Sequence, residues 1–252
     1  MTGTLWLVPN TLDLGAEPGD LPDIADILPM GVLRTAAGLR HWIAENAKTT
    51  RALLKRVDAV VPLALPLQQL AIVELPRAPK GSSSGPAPDL SPLLRPALDG
   101  HDIGLVCEAG LPAVADPGAL VVLAAHALHI AVVPLPGPSA LLLALAASGL
   151  NGQSFAFVGY VPAGAAERTA RLRELETLSR RLGQTQLIIE TPYRNGTLLD
   201  ALLASLQPKT RLSVSCGLTV RSGFTRSGTV EHWRAAPSAL PANLPAVFAL
   251  LA

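Results

Sequence analysis

The stretch IGLVCEAGLPAVADPG at residues 103–118, followed by AVVPLPGPSALLLALAASG at 131–149, decides how this chain folds. Each opens as a short apolar run of strand length, and each run stops in a turn crowded with glycine and proline. Open parallel sheets bind ligands beyond the carboxyl ends of their strands, and glycine there lets backbone approach a ligand closely. The segment therefore reads as two strands whose ends form the wall of a small-molecule site. Ala119 to Leu128 is the helix between them. Ser139 to Ser148 is the helix after them, with Ser139 placed to cap its start and Gly149 to end it.

Outward from this segment, apolar runs keep alternating with helical patterns, the signature of crossover units on a mostly parallel, buried sheet. The strands expected in the first half are Thr4 to Val8, Trp42 to Glu45, Ala59 to Leu63, Ile103 to Cys107 and Ile130 to Leu135. Helices are expected at Leu21 to Leu28, at Ala47 to Val57 with Asn46 as N-cap, and at Leu90 to Leu98. The proline-rich corner at 134–138 marks a boundary between an N-terminal α/β lobe, 1–136, and a C-terminal one, 137–252. The second lobe offers strands at Phe155 to Gly159, Gln186 to Glu190, Arg211 to Cys216, Gly223 to Ser227 and Ala246 to Leu251. Helices at Ala165 to Leu182, Asn195 to Leu206 and Val230 to Ala235 are interleaved, and no internal repeat is present. Pro76 to Pro88 is polar, aperiodic and rich in glycine, serine and proline, which reads as a flexible loop; it lacks the spacing of a phosphate loop.

Composition narrows the function classes. Hydrophobic residues make up 49% of the chain and charged residues 15%, which excludes a disordered chain and suggests buried sheets or a subunit interface. With a net charge of +1 no global field draws the protein to nucleic acid, so RNA binding has to rest on a local patch. The two cysteines, Cys107 and Cys216, each fall inside an expected strand, which points to a reducing cytoplasm and not to a disulfide. The start, MTGTLWLVPN, lacks a signal-peptide pattern. The most apolar region, Ala119 to Leu150, is broken by His126, His129, Pro134, Pro136 and Gly137 and falls short of the ~20 apolar residues a membrane helix needs. His126 and His129 share a helical face without carboxylates or cysteines at ligand spacing, so no metal is expected.

The ordered set of motifs resembles the S-adenosylmethionine-dependent tetrapyrrole (corrin/porphyrin) methylase superfamily, in particular its ribosomal RNA small subunit methyltransferase I branch. The resemblance runs through Thr4-Leu-Trp-Leu-Val-Pro9, Ile43-Ala-Glu-Asn46, Leu105 to Gly118, and Val132 to Ala140 with its proline-leucine-proline-glycine-proline-serine-alanine signature. It continues through Phe157 to Pro162, Glu190 to Arg194, Gly217 to Thr219, Arg226 to Thr229 and Pro245 to Phe248. The family's fold, as the resemblance implies it, is two α/β lobes, the first sheet mostly parallel and the second mixed. S-adenosylmethionine binds in the cleft between the lobes, and the protein is usually a homodimer. On the family pattern Gly110, Pro112, Val114 and Ala115 hold the donor's methionine part largely through backbone, and Glu108 replaces the usual aspartate on a nearby turn. Ser139 and Ala140 offer N–H groups to its carboxylate. Glu190, Tyr193, Leu218, Thr219, Ala246 and Val247 line the adenosine pocket.

The chain departs from that pattern where the acceptor would bind. The ribosomal branch carries alanine-glutamate-aspartate-threonine-arginine where this chain has Ala44-Glu-Asn-Ala-Lys48. Lys48, Arg51 and Lys55 lie three and four residues apart on one helical face and form the candidate RNA-binding stripe. Methylation of a ribose hydroxyl needs a group to take its proton, and Glu45 and Lys48 are the positional candidates. The leading expectation is an S-adenosylmethionine-dependent methyltransferase acting on RNA ribose 2′-oxygens. The alternatives are methylation of a tetrapyrrole or other small molecule, and a non-catalytic donor-binding scaffold.

Overall fold

The computed structural model describes residues 2–76 and 89–252, so the loop read at Pro76 to Pro88 lies, apart from its first residue, outside the described residues. The chain forms two compact units. One comprises Met1–Thr11 and Asp23–Pro138, the other Leu12–Pro22 and Ser139–Ala252.

The first unit contains β1 (Thr4–Leu7), α1 (Ile24–Ile27), α2 (Met30–Gly38), β2 (His41–Ala44), α3 (Ala47–Asp58), β3 (Ala71–Glu74), α4 (Arg95–Leu98), β4 (Ile103–Val106), α5 (Ala119–Ala127) and β5 (Ala131–Pro134). Its sheet runs β3-β2-β4-β1-β5 with every pair parallel. Alternate side chains go to opposite faces. Trp42 and Ala44 join Val32, Leu33, Ala36 and Leu53 of α2 and α3 in one core, while Leu5, Ile43 and Leu105 join Leu94, Val121 and Ala125 in the other. The register sets Gly104 beside both Trp6 and Trp42. A Cβ on Gly104 would meet the Trp42 ring at 2.6 Å, so the indole fills the volume that a side chain there would need.

The second unit contains α6 (Ala140–Ser148), β6 (Phe155–Phe157), α7 (Ala165–Leu182), β7 (Thr185–Glu190), α8 (Asn195–Ser205), β8 (Arg211–Cys216), β9 (Phe224–Thr229), α9 (Val230–Ala235) and β10 (Ala246–Leu251). Its sheet, β6-β7-β10-β8-β9, is mixed, parallel at β6–β7 and antiparallel elsewhere. One face packs on α7, α8 and α9 around Leu172, Leu202, Phe248 and Trp233, and the other on α6 through Ala144 and Leu145. Residues 12–22 are strapped to this unit. Asp20 accepts from the Ser222 N–H at 2.8 Å and from its hydroxyl, and the Asn243 amide donates to the Gly15 carbonyl at 3.3 Å.

Two local expectations fail, and one strand was not foreseen. No strand forms at Ala59 to Leu63. Asp58 accepts from the Leu63 N–H to close a turn, and Val61 and Leu63, on either side of Pro62, pack on the α2–α3 core. The strand beside β2 is instead Ala71–Glu74, a short edge strand with mostly exposed side chains and so little apolar signal. The helix expected from Leu21 is a single turn capped by Asp23, and Pro29 then opens the separate α2.

Candidate functional site

Connections leave the neighbouring strands β1 and β4 in opposite directions, β1 towards β2 and β4 towards β5, so their carboxyl ends form the kind of switch point at which open α/β sheets bind ligands. The loops there are laced together. Asn10 and Gly110 exchange backbone hydrogen bonds of 2.8 and 3.2 Å, and the Asn10 amide donates to the Cys107 and Glu108 carbonyls at 2.9 and 3.0 Å. Asn10 is buried and is absent from the candidates read from sequence. Its one signal is a polar residue directly after an apolar strand and Pro9.

Past this lacing the backbone turns three times into the left-handed region, at Gly110 (φ +77), Ala113 (φ +67) and Ala115 (φ +62). For alanine that costs on the order of 1 kcal/mol or more per residue, and such strain clusters at ligand sites. The loop coils around Asp116, whose Oδ1 accepts from the Gly118 N–H at 2.5 Å while Oδ2 is buried without a partner. Burial pushes the Asp116 carboxyl above the usual carboxylate range even though backbone N–H groups favour its charge. Pro112 is buried beneath the loop, and Val114 and Ala115 are exposed at its tip.

Glu45 and Asn46, at the end of β2, reach the same place. Glu45 Oε2 accepts from the Glu108 N–H at 3.0 Å, and the Asn46 amide donates to Glu108 Oε1 at 2.9 Å while its oxygen caps α3 through the Lys48 N–H at 2.9 Å. Burial raises the Glu45 proton affinity, the Glu108 N–H opposes that, and the Asp116 and Glu108 charges add to it. Burial first and the Asp116 charge next push the Cys107 thiol far up, so it stays protonated and is no nucleophile. Lys48, Arg51 and Lys55 stand on the exposed face of α3, opposite the buried Thr50, Leu53, Leu54 and Val57.

In the second unit, Glu190, Ala246 and Cys216 lie side by side across β7, β10 and β8. Glu190 is buried. Its Oε1 accepts from the Thr191 N–H at 2.8 Å, and its Oε2 lies 3.0 Å from an Arg194 guanidinium nitrogen, an ion pair without hydrogen-bond geometry. Ala140, Leu218 and Val247 meet in the apolar cluster under α6. Thr219 has φ +74 and a buried hydroxyl without a partner, a combination of strain and lost hydrogen bonding that costs roughly 2 kcal/mol or more. Tyr193 is 78% exposed. Ser139 does occupy the N-cap of α6, but its hydroxyl makes no capping hydrogen bond, contrary to expectation, which leaves the first N–H groups of that helix without a side-chain acceptor.

Known proteins share both sequence and fold with this chain. The sequence pattern of the family described as Tetrapyrrole (Corrin/Porphyrin) Methylases matches residues 47–232. A protein of Halalkalibacterium halodurans named ribosomal RNA small subunit methyltransferase I is 30% identical over 234 residues, 92% of this chain and 71% of that one. Its namesake in Mesorhizobium japonicum is 36% identical over 155 residues, which is 60% of this chain and 51% of the relative. Thus the match takes in little more than half of some relatives' length. Among solved structures, uroporphyrin-III-C-methyltransferase from Thermus thermophilus shares the fold with a TM-score of 0.53 at 19% identity, covering 99% of this chain and 94% of the other.

Proposed function

The chain belongs to the tetrapyrrole (corrin/porphyrin) methylase family and is a methyltransferase, and from that premise we propose that it carries the methyl group of S-adenosylmethionine to a ribose 2′-oxygen of small-subunit ribosomal RNA. The observation that carries the acceptor is the 30% identity, along 92% of the chain, to a protein named ribosomal RNA small subunit methyltransferase I.

In this reading Gly110, Pro112, Val114 and Ala115 hold the methionine part of the donor mainly through backbone, with Glu108 on the adjoining turn. Ser139 and Ala140 present the N–H groups at the start of α6 to a carboxylate, where unpaired donors and the helix dipole favour an anion. Glu190, Tyr193, Leu218, Thr219, Ala246 and Val247 surround the adenosine. Two features support the assignment: the left-handed backbone between 110 and 115, and the unpartnered Thr219 hydroxyl. Bound there, S-adenosylmethionine supplies a methyl carbon on a positively charged sulfur, a good leaving group, so catalysis falls to alignment of the two reactants.

Glu45 takes the proton of the 2′-hydroxyl, and its raised proton affinity brings it nearer to working pH than an ordinary carboxylate. Lys48, the other candidate, sits exposed at the start of α3, and with Arg51 and Lys55 it holds RNA phosphates. The protein works as a homodimer in the cytoplasm, where its RNA is found. Leu123 on α5, 66% exposed beside Leu120, supports a face covered by a second copy.

The test follows labelled methyl from S-adenosylmethionine into small ribosomal subunits lacking the modification, alongside calorimetric binding of the donor. Wild type should bind donor and yield a 2′-O-methylated nucleotide. Gly110→Trp, which puts a large side chain at φ +77, should do neither. Donor binding without label in any RNA fraction would overturn the acceptor, and absence of donor binding by folded wild type would overturn the methyltransferase site.

A further inference from the structure

A cavity lies at the amino ends of β2 and β4, away from the loops that carry the candidate methyl-transfer residues. It encloses about 420 Å³, and its lining includes Trp6, Arg34, Thr35, Arg40, His41 and His101. The chemistry of that lining is one-sided. Guanidinium groups donate and never accept, an indole N–H only donates, and protonated imidazoles donate from both nitrogens. The Trp6 indole N–H is closed to solvent and unpaired, so Trp6 brings no acceptor to the lining. Thr35 already spends its hydroxyl proton on the Gly31 carbonyl at 3.0 Å.

Charge points the same way. The His41 and His101 rings are 5.3 Å apart at a tilt of 33°. Burial, then the His101 charge and then the Arg40 charge lower the proton affinity of His41, so the cationic groups here crowd one another. Asp102 is the one carboxylate in the lining, and its Oδ1 is occupied by the Thr4 N–H at 2.8 Å. Among the described residues neither Arg34 nor Arg40 has an acidic partner. The carboxyl end of α2 at Gly38 favours one neighbouring cation, but it does not account for two arginines and two histidines around one cavity. No three of the described His, Cys, Asp and Glu residues are disposed to hold a metal ion, so the two imidazoles are not part of such a site.

We infer that this cavity binds a phosphate group, clasped by the Arg34 and Arg40 guanidiniums with His41 and His101 as further donors. A phosphate brings acceptors only, carries the negative charge the lining lacks, and suits the planar fork of arginine. Its source is either the backbone of an RNA or a free phosphate. The inference is independent of the methyl-transfer reading, because none of these residues is assigned to that site.

The experiment is proton NMR titration of the His41 and His101 ring signals with inorganic phosphate, against sodium chloride at matched ionic strength. Phosphate should raise the His41 pKa by about one unit, equivalent to about tenfold tighter binding to the protonated form. Affinity should therefore grow as pH falls through the His41 range. Arg34→Ala combined with Arg40→Ala, both exposed positions, should abolish the shift. An RNA oligonucleotide without a terminal phosphate separates the sources: displacement of phosphate by the RNA assigns the site to a backbone, and binding of phosphate without displacement assigns it to a free phosphate. Ring signals that move no more in phosphate than in chloride would overturn the inference, as would a full shift in the double variant.

Discussion

At the scale of single residues, the candidate site concentrates carboxylates where water is scarce. Glu45 and Asp116 both have raised proton affinity through burial, so each binds its proton more tightly folded than unfolded. Their stabilising contribution is complete below the unfolded carboxylate pKa and is lost as pH rises through the higher folded values. Glu45→Gln should therefore lose less stability than wild type between acid and neutral pH in thermal melts. If Glu45 takes the substrate proton, wild-type methyl transfer should rise with pH through its raised pKa, and Glu45→Gln should be slower by about 10²–10⁴-fold with donor affinity kept. A second residue-scale prediction concerns Asn46. Two departures from the family pattern, asparagine at 46 and glutamate at 108, meet in one hydrogen bond of 2.9 Å. Read one at a time in the sequence they look like separate losses, because their pairing crosses 62 residues. Asn46→Asp keeps the α3 cap acceptor but sets two carboxylates against each other, and should cost about 1 kcal/mol at neutral pH. Chemical denaturation at neutral pH should show the loss, and acid should relieve it.

At the scale of elements, legibility followed burial. The strands β4, β8 and β10 are buried along their whole or nearly whole length and stand out as apolar runs, and α7, ended by Gly183, spans the 165–182 that its sequence predicts. β3 did not stand out, because an exposed edge strand needs few apolar residues, while the more apolar 59–63 segment spends its side chains on helix packing. The positive φ angles at Ala113, Ala115 and Thr219 were equally hidden, since nothing in an alanine or threonine announces a left-handed turn. The amphipathic split of α3 was readable, and it carries its own prediction. Replacing Lys48, Arg51 and Lys55 together by alanine should lower the slope of log affinity for RNA against log salt by about 2–3, each phosphate contact contributing roughly 0.7–0.9. The exposed positions should leave the melting temperature unchanged, and an unaltered slope in filter binding would remove α3 from the RNA surface.

At the scale of the whole molecule, a net charge of +1 leaves nucleic-acid attraction to local features such as α3. The chain also divides its residues in a way that no composition shift announces, because residues 12–22 belong with a unit whose remainder begins at Ser139. The Asp20 contacts to Ser222 hold that strap, and Asp20→Ala should speed hydrogen exchange at the Ser222 amide by about tenfold, equivalent to ~1.4 kcal/mol of local protection. First-unit amides should keep their protection, and faster exchange there would contradict the division. The same strap sets an order of events during synthesis. Residues 12–22 are made about 200 residues ahead of their partners at 221, 222 and 243. At roughly 5–20 residues per second the segment waits on the order of ten to forty seconds without its native contacts. The second unit can thus finish folding only after residues 221–243 have been made, and a nascent chain stalled before residue 222 would carry the 12–22 strap open to proteases and chaperones.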